Sequence, residues 1–322
     1  MNVIDINEGK PSYALVTAAW NEEAFIGEPL RAVAAQTLTP RKWVIVSDGS
    51  TDRTDEIVGQ YAKQYPYIQL YRMPDQHRRS FAAQVDAINA GYEQLRHLEF
   101  DFIANLDADL SFEPDYFERL LEEFRRDPRL GLAGGTIFDK DGATFKVRRL
   151  NRPHSVMHGV QMFRRECFDS LGGYTRLPYG SPDWHAEVGV RMQGWRVRSI
   201  PELRAFHHRP NGMAGGFVWY FYRQGLADYS LGTHPLFELA KVVRRLPKCF
   251  GLCALAELTG FIHGYCRGDK RVTSDEFAAY LRKEQLARLR PSAWWKGFRV
   301  EEEMSATVTT DPDGSKRVRA PK

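Results

Sequence analysis

The chain has 322 residues, of which 43% are hydrophobic and 27% are charged, and its formal net charge is +4. These proportions are typical of a globular protein and exclude an intrinsically disordered chain or a collagen-like repeat. A chain of this length can bury a large core, so one sizeable domain with a smaller appendage is expected. Four cysteines without a CxxC pair argue against a disulfide scaffold and a structural zinc site.

Short apolar runs alternate with longer amphipathic stretches from residue 13 onward. This alternation predicts an α/β fold with a mostly parallel central sheet flanked by helices. The strands predicted in the first third of the chain are 13–18, 43–47, 68–72 and 101–106. The helices predicted there are 22–36, 80–95 and 114–126, together with one that ends near residue 64. Asn21 is the predicted N-cap of the first of these helices.

The pattern becomes looser after residue 130 and then turns helical. The strands predicted in this part are 132–138, 144–150, 156–163, 196–200 and 203–206, and a helix is predicted at 182–193. From residue 235 onward helices dominate. We therefore predict a main domain over residues 1–235, a helical extension over 236–300 and a disordered tail over 301–322.

The helical extension is basic, with 13 Lys and Arg against 6 Asp and Glu, a balance of +7. Its first predicted helix has an apolar face that contains Leu236, Leu239, Val243 and Leu246, and an opposite face that contains Lys241, Arg244 and Arg245. This segment predicts peripheral contact with an anionic membrane surface, and a basic face in solvent is the alternative. No nucleic-acid partner is expected, because no nucleic-acid-binding motif is recognisable.

The first ten residues include Asp5 and Glu8 and lack an apolar stretch, so no secretory signal is predicted. No window reaches the roughly 18 consecutive apolar residues that a membrane span needs. We therefore expect a cytoplasmic protein, placed at the inner face of the membrane if the helical extension binds lipid.

Acidic residues follow two of the predicted parallel strands. Asp48 ends the second strand, and Asp107 and Asp109 end the fourth. In an open parallel sheet, ligands bind at the carboxyl ends of the strands. Two carboxylates spaced i, i+2 suit Mn2+ or Mg2+ shared with a diphosphate, because these hard ions prefer oxygen ligands. The first strand is not followed by G-x-G-x-x-G, which disfavours a dinucleotide-binding dehydrogenase.

Four ordered blocks resemble the inverting glycosyltransferases of family 2. They are AAWNEE at 18–23, VIVSDGSTD at 44–52, INAG at 88–91 and DAD at 107–109. The resemblance continues through residue 195, covers about 12–210 and does not reach the C-terminal helices. It implies the GT-A fold, a Rossmann-like α/β architecture with a mostly parallel central sheet.

The resemblance also implies a set of donor-binding residues, namely Ala18, Ala19, Trp20, Glu22, Asp48, Arg79, Asp107, Ala108 and Asp109. In this set, Asp48 accepts a hydrogen bond from the nucleobase. Trp20 lies near the base, or alternatively packs at a strand end. Arg79 lies near the phosphate or the base, with Arg78 as its substitute, or both arginines form an exposed pair at a helix start.

The family places its catalytic base in a Glu-Asp pair eleven residues before a glycine. Asp183 matches, since it lies eleven residues before Gly194, but Pro182 replaces the glutamate. An ordinary helix N-cap is the alternative role for Asp183. Trp184 is expected on the acceptor side.

The metal ligands that the resemblance implies are Asp107 and Asp109, with one or both of His207 and His208 completing the shell. The uncharged run 212–222 is interpreted as a lid over the donor or as a core element. The chain lacks the Gln-x-x-Arg-Trp block of processive members, so addition of a single sugar is expected.

Together these features predict a metal-dependent inverting glycosyltransferase. It would move one sugar from a nucleotide-diphosphate donor, with a UDP-sugar favoured over a GDP-sugar, to a hydroxyl of a glycan or lipid-linked acceptor in glycan or exopolysaccharide biosynthesis. The alternative is a catalytically silent GT-A module that organises a polysaccharide-assembly complex.

Overall fold

The computed structural model describes residues 11–74, 81–148, 154–209, 216–247, 251–268, 270–290, 307–310 and 316–319. Its described strands form one mixed sheet in the order β11-β10-β7-β6-β8-β4-β1-β2-β3, with β9 beside β6 and β5 beside β9. Helices flank this sheet and then continue as a C-terminal group. The predicted α/β architecture is confirmed.

The parallel part of the sheet comes from the first third of the chain. Its strands are β1 (Tyr13–Ala19), β2 (Lys42–Ser47), β3 (Ile68–Arg72) and β4 (Phe102–Asn105). The helices between them are α1 (Gly27–Ala34), α2 (Thr54–Gln64) and α3 (Phe81–Leu95). Trp43, Ile45 and Leu15 are fully buried, as expected for strands covered by helices on both faces.

The next part of the chain adds mostly antiparallel strands. They are β5 (Leu110–Phe112), β6 (Leu130–Asp141), β7 (Thr144–Val147), β8 (Met162–Arg164) and β9 (Arg196–His207). The helices of this part are α4 (Tyr116–Arg126), α5 (Arg165–Leu171) and α6 (Pro182–Met192). The strand predicted at 156–163 is instead a 3-10 turn at His158–Val160 followed by β8.

The C-terminal helices are α7 (Phe217–Ser230), α8 (Pro235–Arg245), α9 (Leu252–Arg267) and α10 (Asp275–Arg288). Helix α7 precedes the predicted boundary at residue 235 but packs along α9. The boundary itself stays a prediction.

The expectation of a fully disordered tail is not met, because two of its segments are strands. Strands β10 (Thr307–Thr310) and β11 (Lys316–Arg319) pair with each other, and β10 also pairs with β7, placing Val308 opposite Phe145. Both segments contain the β-branched residues that favour strands, and β7 offers them an open edge.

Helix α3 approaches the sheet closely at Gly91, which belongs to the INAG block. A Cβ at this position would lie 2.5 Å from Val16 Cγ1 and 2.8 Å from Val46 Cγ2. Both valines are buried and conformationally stiff. We expect Gly91→Ala to lower the free energy of unfolding by about 1–3 kcal/mol.

Gly59→Ala in α2 is the matched control for this prediction, because a Cβ there meets no described atom within 4 Å. We expect it to be neutral or to stabilise the protein by up to about 1 kcal/mol through helix propensity. Urea unfolding of both variants tests the pair, and equal effects of the two substitutions would contradict the close approach.

Candidate active site

The predicted donor-site carboxylates lie at one edge of the sheet. Strand β1 pairs in parallel with β2 on one side and with β4 on the other, so the three strands end together. Asp48 follows the last residue of β2, and Asp107 follows β4 by two residues. The loop after β1, with Trp20 and Glu22, lies between them. The structure therefore brings the predicted donor residues of these loops to a common edge.

The loops after β1 and β2 are bonded to each other. Asn21 has a positive φ of 52°, and its side-chain oxygen accepts a hydrogen bond of 2.8 Å from the Thr51 backbone nitrogen. Glu22 donates its backbone N–H to Thr54 Oγ1 at 2.7 Å. The prediction that Asn21 caps a helix is thus wrong, because its side chain joins two loops and α1 starts only at Gly27.

Asp48 is buried and has an open hydrogen-bonding position. Only 8% of the residue is exposed, and its Oδ1 has no hydrogen-bond partner among the described residues. Burial raises the pKa of this carboxyl, and the charge of Asp86 adds to the effect. A buried acceptor without a partner is costly, so a ligand donor group at this place would stabilise it.

Asp109 is tied to the loop after β1 through an arginine. Its Oδ2 accepts a hydrogen bond from Arg209 Nε at 2.9 Å, and the same guanidinium pairs with Glu22. The Oδ1 atom of Asp109 is buried and has no hydrogen-bond partner among the described residues. Although burial acts in the opposite direction, His207 and Arg209 lower the pKa of Asp109, which therefore carries a negative charge at neutral pH.

His207 lies between two carboxylates. Its Nε2 is 3.3 Å from Asp109 Oδ2 and its Nδ1 is 3.0 Å from Asp139 Oδ1. Burial lowers the pKa of His207, but the two carboxylates outweigh burial and raise it to about 9. The imidazole is therefore protonated at neutral pH and forms an ion pair with each carboxylate, and its role as a metal ligand stays a prediction.

His208 points elsewhere. Its Nε2 lies 2.7 Å from Ser111 Oγ and 3.8 Å from Glu28 Oε2. The ring also borders a separate groove of about 620 Å³, which neither Asp48, Asp107 nor Asp109 lines. Of the two predicted histidines, His207 is the one whose side chain contacts the Asp109 carboxylate. His208 reaches Asp109 only through its backbone N–H, which donates to the Asp109 carbonyl oxygen at 2.9 Å, so a ligand role for its ring stays a prediction that this geometry does not favour.

Asp107 lies beside a histidine that sequence reasoning missed. His158 Nδ1 is 3.5 Å from Asp107 Oδ1, and the Asn105 amide donates to the His158 carbonyl at 2.8 Å. A Cβ at Gly159 would overlap the Asp107 carboxylate, so only glycine allows this approach. Burial lowers the pKa of His158, but Asp107 and the charge of Asp183 reverse the effect and leave it raised.

Asp183 faces the same histidine from the first turn of α6. Pro182 occupies the start of the helix, where its missing N–H costs nothing. The charges of Asp183 and Asp107 both add to the effect of burial in raising the pKa of Tyr174, whose ring centroid lies 5.3 Å from that of His158. The charges of the predicted base and of the first aspartate of the DAD block therefore both act on one His158–Tyr174 pair.

One turn further along α6, Glu187 bonds the helix to the segment that precedes His158. Its Oε1 accepts hydrogen bonds from Val156 N at 2.7 Å and from Ser155 Oγ at 2.9 Å. Burial raises the pKa of Glu187 to about 8, and the charge of Asp183 contributes to this shift. These bonds hold α6 against the segment that carries His158.

Trp184 packs between two arginines. Its ring lies under the guanidinium carbons of Arg191 at 5.1 Å and of Arg288 at 5.5 Å. The indole therefore contacts α10, and its expected acceptor-side role stays a prediction.

Of the remaining predicted donor residues, two are buried alanines and one is an arginine outside the described residues. Ala19 and Ala108 are buried, and the Ala19 carbonyl accepts a hydrogen bond of 3.0 Å from the Asp48 N–H. Arg79 and its substitute Arg78 lie outside the described residues, as does the part of the lid run between 212 and 215. Residues 217–222 of that run form the first turns of α7.

Comparisons with known proteins identify the family and the fold. The family model for glycosyl transferase family 2 matches residues 14–180. Poly-beta-1,6-N-acetyl-D-glucosamine synthase of Staphylococcus epidermidis is 25% identical over 143 residues, which cover 42% of this chain and 32% of that protein. The chain spans about a third of the length of the curated relatives it matches.

Two solved structures share the fold. The mannosyltransferase PcManGT from Pyrobaculum calidifontis, in complex with GDP-Man and Mn2+, has a TM-score of 0.54 at 18% identity and covers 90% of this chain and 84% of its own. S. aureus TarS 1-349 in complex with UDP-GlcNAc has a TM-score of 0.53 at 14% identity and covers 97% of both chains. Because the family match spans just over half of the chain, the protein belongs to glycosyl transferase family 2, and it has the GT-A fold.

Proposed function

We propose that this glycosyltransferase moves one sugar from a nucleoside-diphosphate donor to a hydroxyl acceptor, with inversion at the anomeric carbon and with the help of a divalent cation. The observation that carries the proposal is the arrangement of four carboxylates around one edge of the sheet. Asp48 and Asp109 each keep a buried oxygen without a described partner, and the charges of Asp107 and Asp183 both act on His158.

The proposed donor site offers two groups that suit a nucleotide, the carboxylate of Asp48 as a hydrogen-bond acceptor and the guanidinium of Arg209 as a positive charge. Asp48 Oδ1 accepts an N–H of the nucleobase, which removes the cost of leaving a buried oxygen unpaired. Arg209, held by Asp109 and Glu22, offers a guanidinium to the phosphate oxygens.

The residues at the DAD block supply part of a divalent-cation site. Asp109 Oδ1 is buried and unpaired among the described residues, and carboxylate oxygens are ligands that suit Mn2+. Asp107, Asp109 and His207 would hold the ion once their side chains move together, because among the described residues these three do not form a group with ligand atoms within 4.8 Å of one another. The ion would supply positive charge to neutralise the leaving diphosphate. Since a histidine binds a cation only as neutral imidazole, His207 has to lose its proton first.

Asp183 acts as the general base in this proposal. It accepts the proton of the acceptor hydroxyl as the oxygen bonds to the anomeric carbon. The bond from that carbon to the diphosphate oxygen breaks at the same time, and the diphosphate leaves with the electron pair. Attack opposite to the leaving group inverts the configuration.

We propose a UDP-sugar as the donor in preference to a GDP-sugar, and a glycan or lipid-linked acceptor of a polysaccharide pathway. This choice is supported by the relatives named poly-beta-1,6-N-acetyl-D-glucosamine synthase and by the UDP-GlcNAc in TarS, although PcManGT holds GDP-Man.

A thermal-shift panel tests the donor site. UDP, GDP, UDP-sugars and GDP-sugars are each added with and without Mn2+. A ligand at about 100 times its Kd stabilises the folded state by about 2.7 kcal/mol, so we expect UDP with Mn2+ to raise the Tm by several degrees. We expect Asp48→Asn to reduce the shift, because it replaces the carboxylate that accepts the base.

The control variant is Asp141→Asn, which changes an exposed aspartate at the end of β6 and should leave the shift intact. If UDP and GDP are both inert with Mn2+ present, the proposed donor site is wrong. A shift with GDP alone would retain the site and reverse the donor choice.

A further inference from the structure

A fully buried glutamine, Gln161, lies between the 3-10 turn at His158–Val160 and β8. Its side-chain oxygen accepts a hydrogen bond from the Tyr174 hydroxyl at 2.6 Å. Its Nε2 donates to the Val156 carbonyl at 2.9 Å and to the Asp183 carbonyl at 3.5 Å. A buried amide is costly unless its polar groups are bonded, so Gln161 is stable here only while all three partners stay in place.

The backbone around Gln161 is bonded to the loop that carries the DAD block. The Gln161 carbonyl accepts a hydrogen bond of 2.9 Å from the Asn105 N–H at the end of β4, and the Gly159 carbonyl accepts one of 3.2 Å from the Asp107 N–H. These two bonds join main-chain atoms and do not depend on the Gln161 side chain. Gln161 therefore connects the donor side of the site, through its backbone, to α6, through its amide.

The tyrosine partner of Gln161 is itself held firmly. The Asn89 side chain of α3 accepts a hydrogen bond from the Tyr174 N–H at 3.0 Å and donates one to the Tyr174 carbonyl at 2.8 Å. Both backbone groups of Tyr174 are thus fixed to α3, and its hydroxyl presents a fixed donor to the Gln161 oxygen. Fully bonded polar networks of this kind make a buried region rigid and specify one arrangement.

The peptide groups of Val156 are held by two side chains. The Val156 carbonyl accepts from Gln161, and the Val156 N–H donates to Glu187 of α6 at 2.7 Å. Glu187 stands one turn after Asp183 on the same helix, and only 1% of it is exposed. The first two turns of α6 are therefore bonded to the segment before His158, once through the Asp183 carbonyl and once through the Glu187 carboxyl.

The residue before α6 shows that the start of this helix needs such support. Ser181 has a φ of 68°, in the left-handed region that a serine adopts only at a cost. Among the described residues it makes no side-chain bond that would cap α6. A conformation of this kind persists only where the surrounding structure fixes it. Gln161 supplies part of that fixation, because it binds the Asp183 carbonyl in the first turn.

We propose that Gln161 is a positioning residue of the transfer reaction, whose amide holds Asp183 in register with the Asp107–Asp109 loop. The inference rests on the proposed role of Asp183 as the general base. Gln161 acts through Asp183, because its amide is fully used by protein groups. A displacement of about 1 Å at a reacting group can lower the rate of the reaction by about 100-fold, so loss of the amide should act on catalysis and leave donor binding intact.

Gln161→Met tests the proposal, because methionine fills a similar volume but cannot form the three side-chain bonds. The main-chain bonds to Asn105 and Asp107 remain possible in this variant. We expect kcat to fall by about 10- to 100-fold, while the donor KM and the thermal shift with nucleotide and Mn2+ stay unchanged. Initial rates of nucleotide release, measured with the nucleotide sugar that gives the largest thermal shift, provide kcat and the donor KM.

A double variant separates positioning of the base from general loss of structure. If Gln161 acts through Asp183, then Gln161→Met should cause no further loss of kcat in a protein that already carries Asp183→Asn, since residues that act as a unit are not additive. A merely structural role would lower kcat by the same factor in both backgrounds.

Gln36→Met is the matched control. Gln36 is also buried and makes three side-chain bonds, to the Ala32 and Glu113 carbonyls at 3.0 and 2.9 Å and from the Phe117 N–H at 3.2 Å. These bonds join α1 to α4 and do not involve α6. The variant should lower the Tm about as much as Gln161→Met does, with kcat unchanged at a temperature where both proteins are folded.

If Gln161→Met does not fold, Tyr174→Phe takes its place, because it removes only the hydroxyl that bonds to Gln161. We expect it to lower kcat by a smaller factor, and again only when Asp183 is present. An unchanged kcat, an equal loss in the two backgrounds, or a loss of donor binding would overturn the proposal. If Asp183→Asn alone keeps its kcat, or the unaltered protein releases no nucleotide, the proposed function fails and the inference fails with it.

Discussion

Replacing Asp183 with Asn is expected to lower kcat by about 10²- to 10⁴-fold, the range for loss of a positioned general base. An amide has the shape of the carboxyl group but cannot take the proton of the acceptor hydroxyl. Donor binding should persist, since the proposed acceptor of the nucleobase is the open oxygen of Asp48 and not Asp183, which lies on α6. Initial rates of nucleotide release and the thermal shift with UDP and Mn2+ measure the two effects separately.

The matched control is Asp275→Asn. Asp275 also stands in the first turn of a helix, α10, so the change in helix-dipole interaction is similar. Its kcat should match that of the unaltered enzyme. A Asp183→Asn variant with unchanged kcat would mean that Asp183 is a structural N-terminal residue and that another group takes the proton.

Asp109→Asn should abolish detectable transfer, with a loss in kcat/KM of at least about 10³-fold, because it removes the charge that faces both the cation and the leaving diphosphate. It also removes the carboxylate that pairs with Arg209 and His207. The Mn2+-dependent part of the nucleotide thermal shift should disappear. A spectroscopic Mn2+ titration with UDP present gives a second readout that does not involve turnover.

This experiment also separates the enzyme from the silent binding module. Under the module hypothesis the unaltered protein has no turnover, and Asp109→Asn leaves complex formation unchanged. Asp141→Asn again serves as the control, because Asp141 pairs with exposed Lys146 at the end of β6. Turnover of Asp109→Asn at the unaltered rate would contradict the cation site.

The parallel strands were predictable because their signal is local. Strands β1, β2 and β3 each read as a short apolar run between polar turns, and their observed bounds differ from the predicted ones by no more than one residue at each end. Strand β9 shows the limit of this signal. Pro201 and Glu202 split it into two predicted strands, but the chain continues through a bulge opposite Gly135 and Thr136, where a proline is tolerated.

Site residues were predictable where they follow a strand or belong to a sequence block of the family. Asp48 and Asp109 are examples. Arg209 was missed because its partner Asp109 is 100 positions away in the chain, and nothing in the local sequence joins them. His158 was missed because its segment reads as a strand, whereas the 3-10 turn that aims it at Asp107 depends on the missing Cβ of Gly159.

Which face of α8 packs against the protein could not be predicted from the local sequence pattern, for a related reason. Periodicity identifies two unlike faces of a helix, and the usual rule turns the apolar one inward. Here Asp228 and Glu257, supplied by α7 and α9, pull the basic face inward instead.

The glycine contact between α7 and α9 has a mechanical consequence. Because the two backbones touch at Gly225 and Gly260, neither helix can roll or slide past the other without collision. The pair therefore moves as one rigid unit. At its first turn of α7, burial and the charge of Asp183 outweigh nearby arginines and raise the pKa of Tyr220. A displacement of this unit would therefore change the electrostatic surroundings of the proposed base.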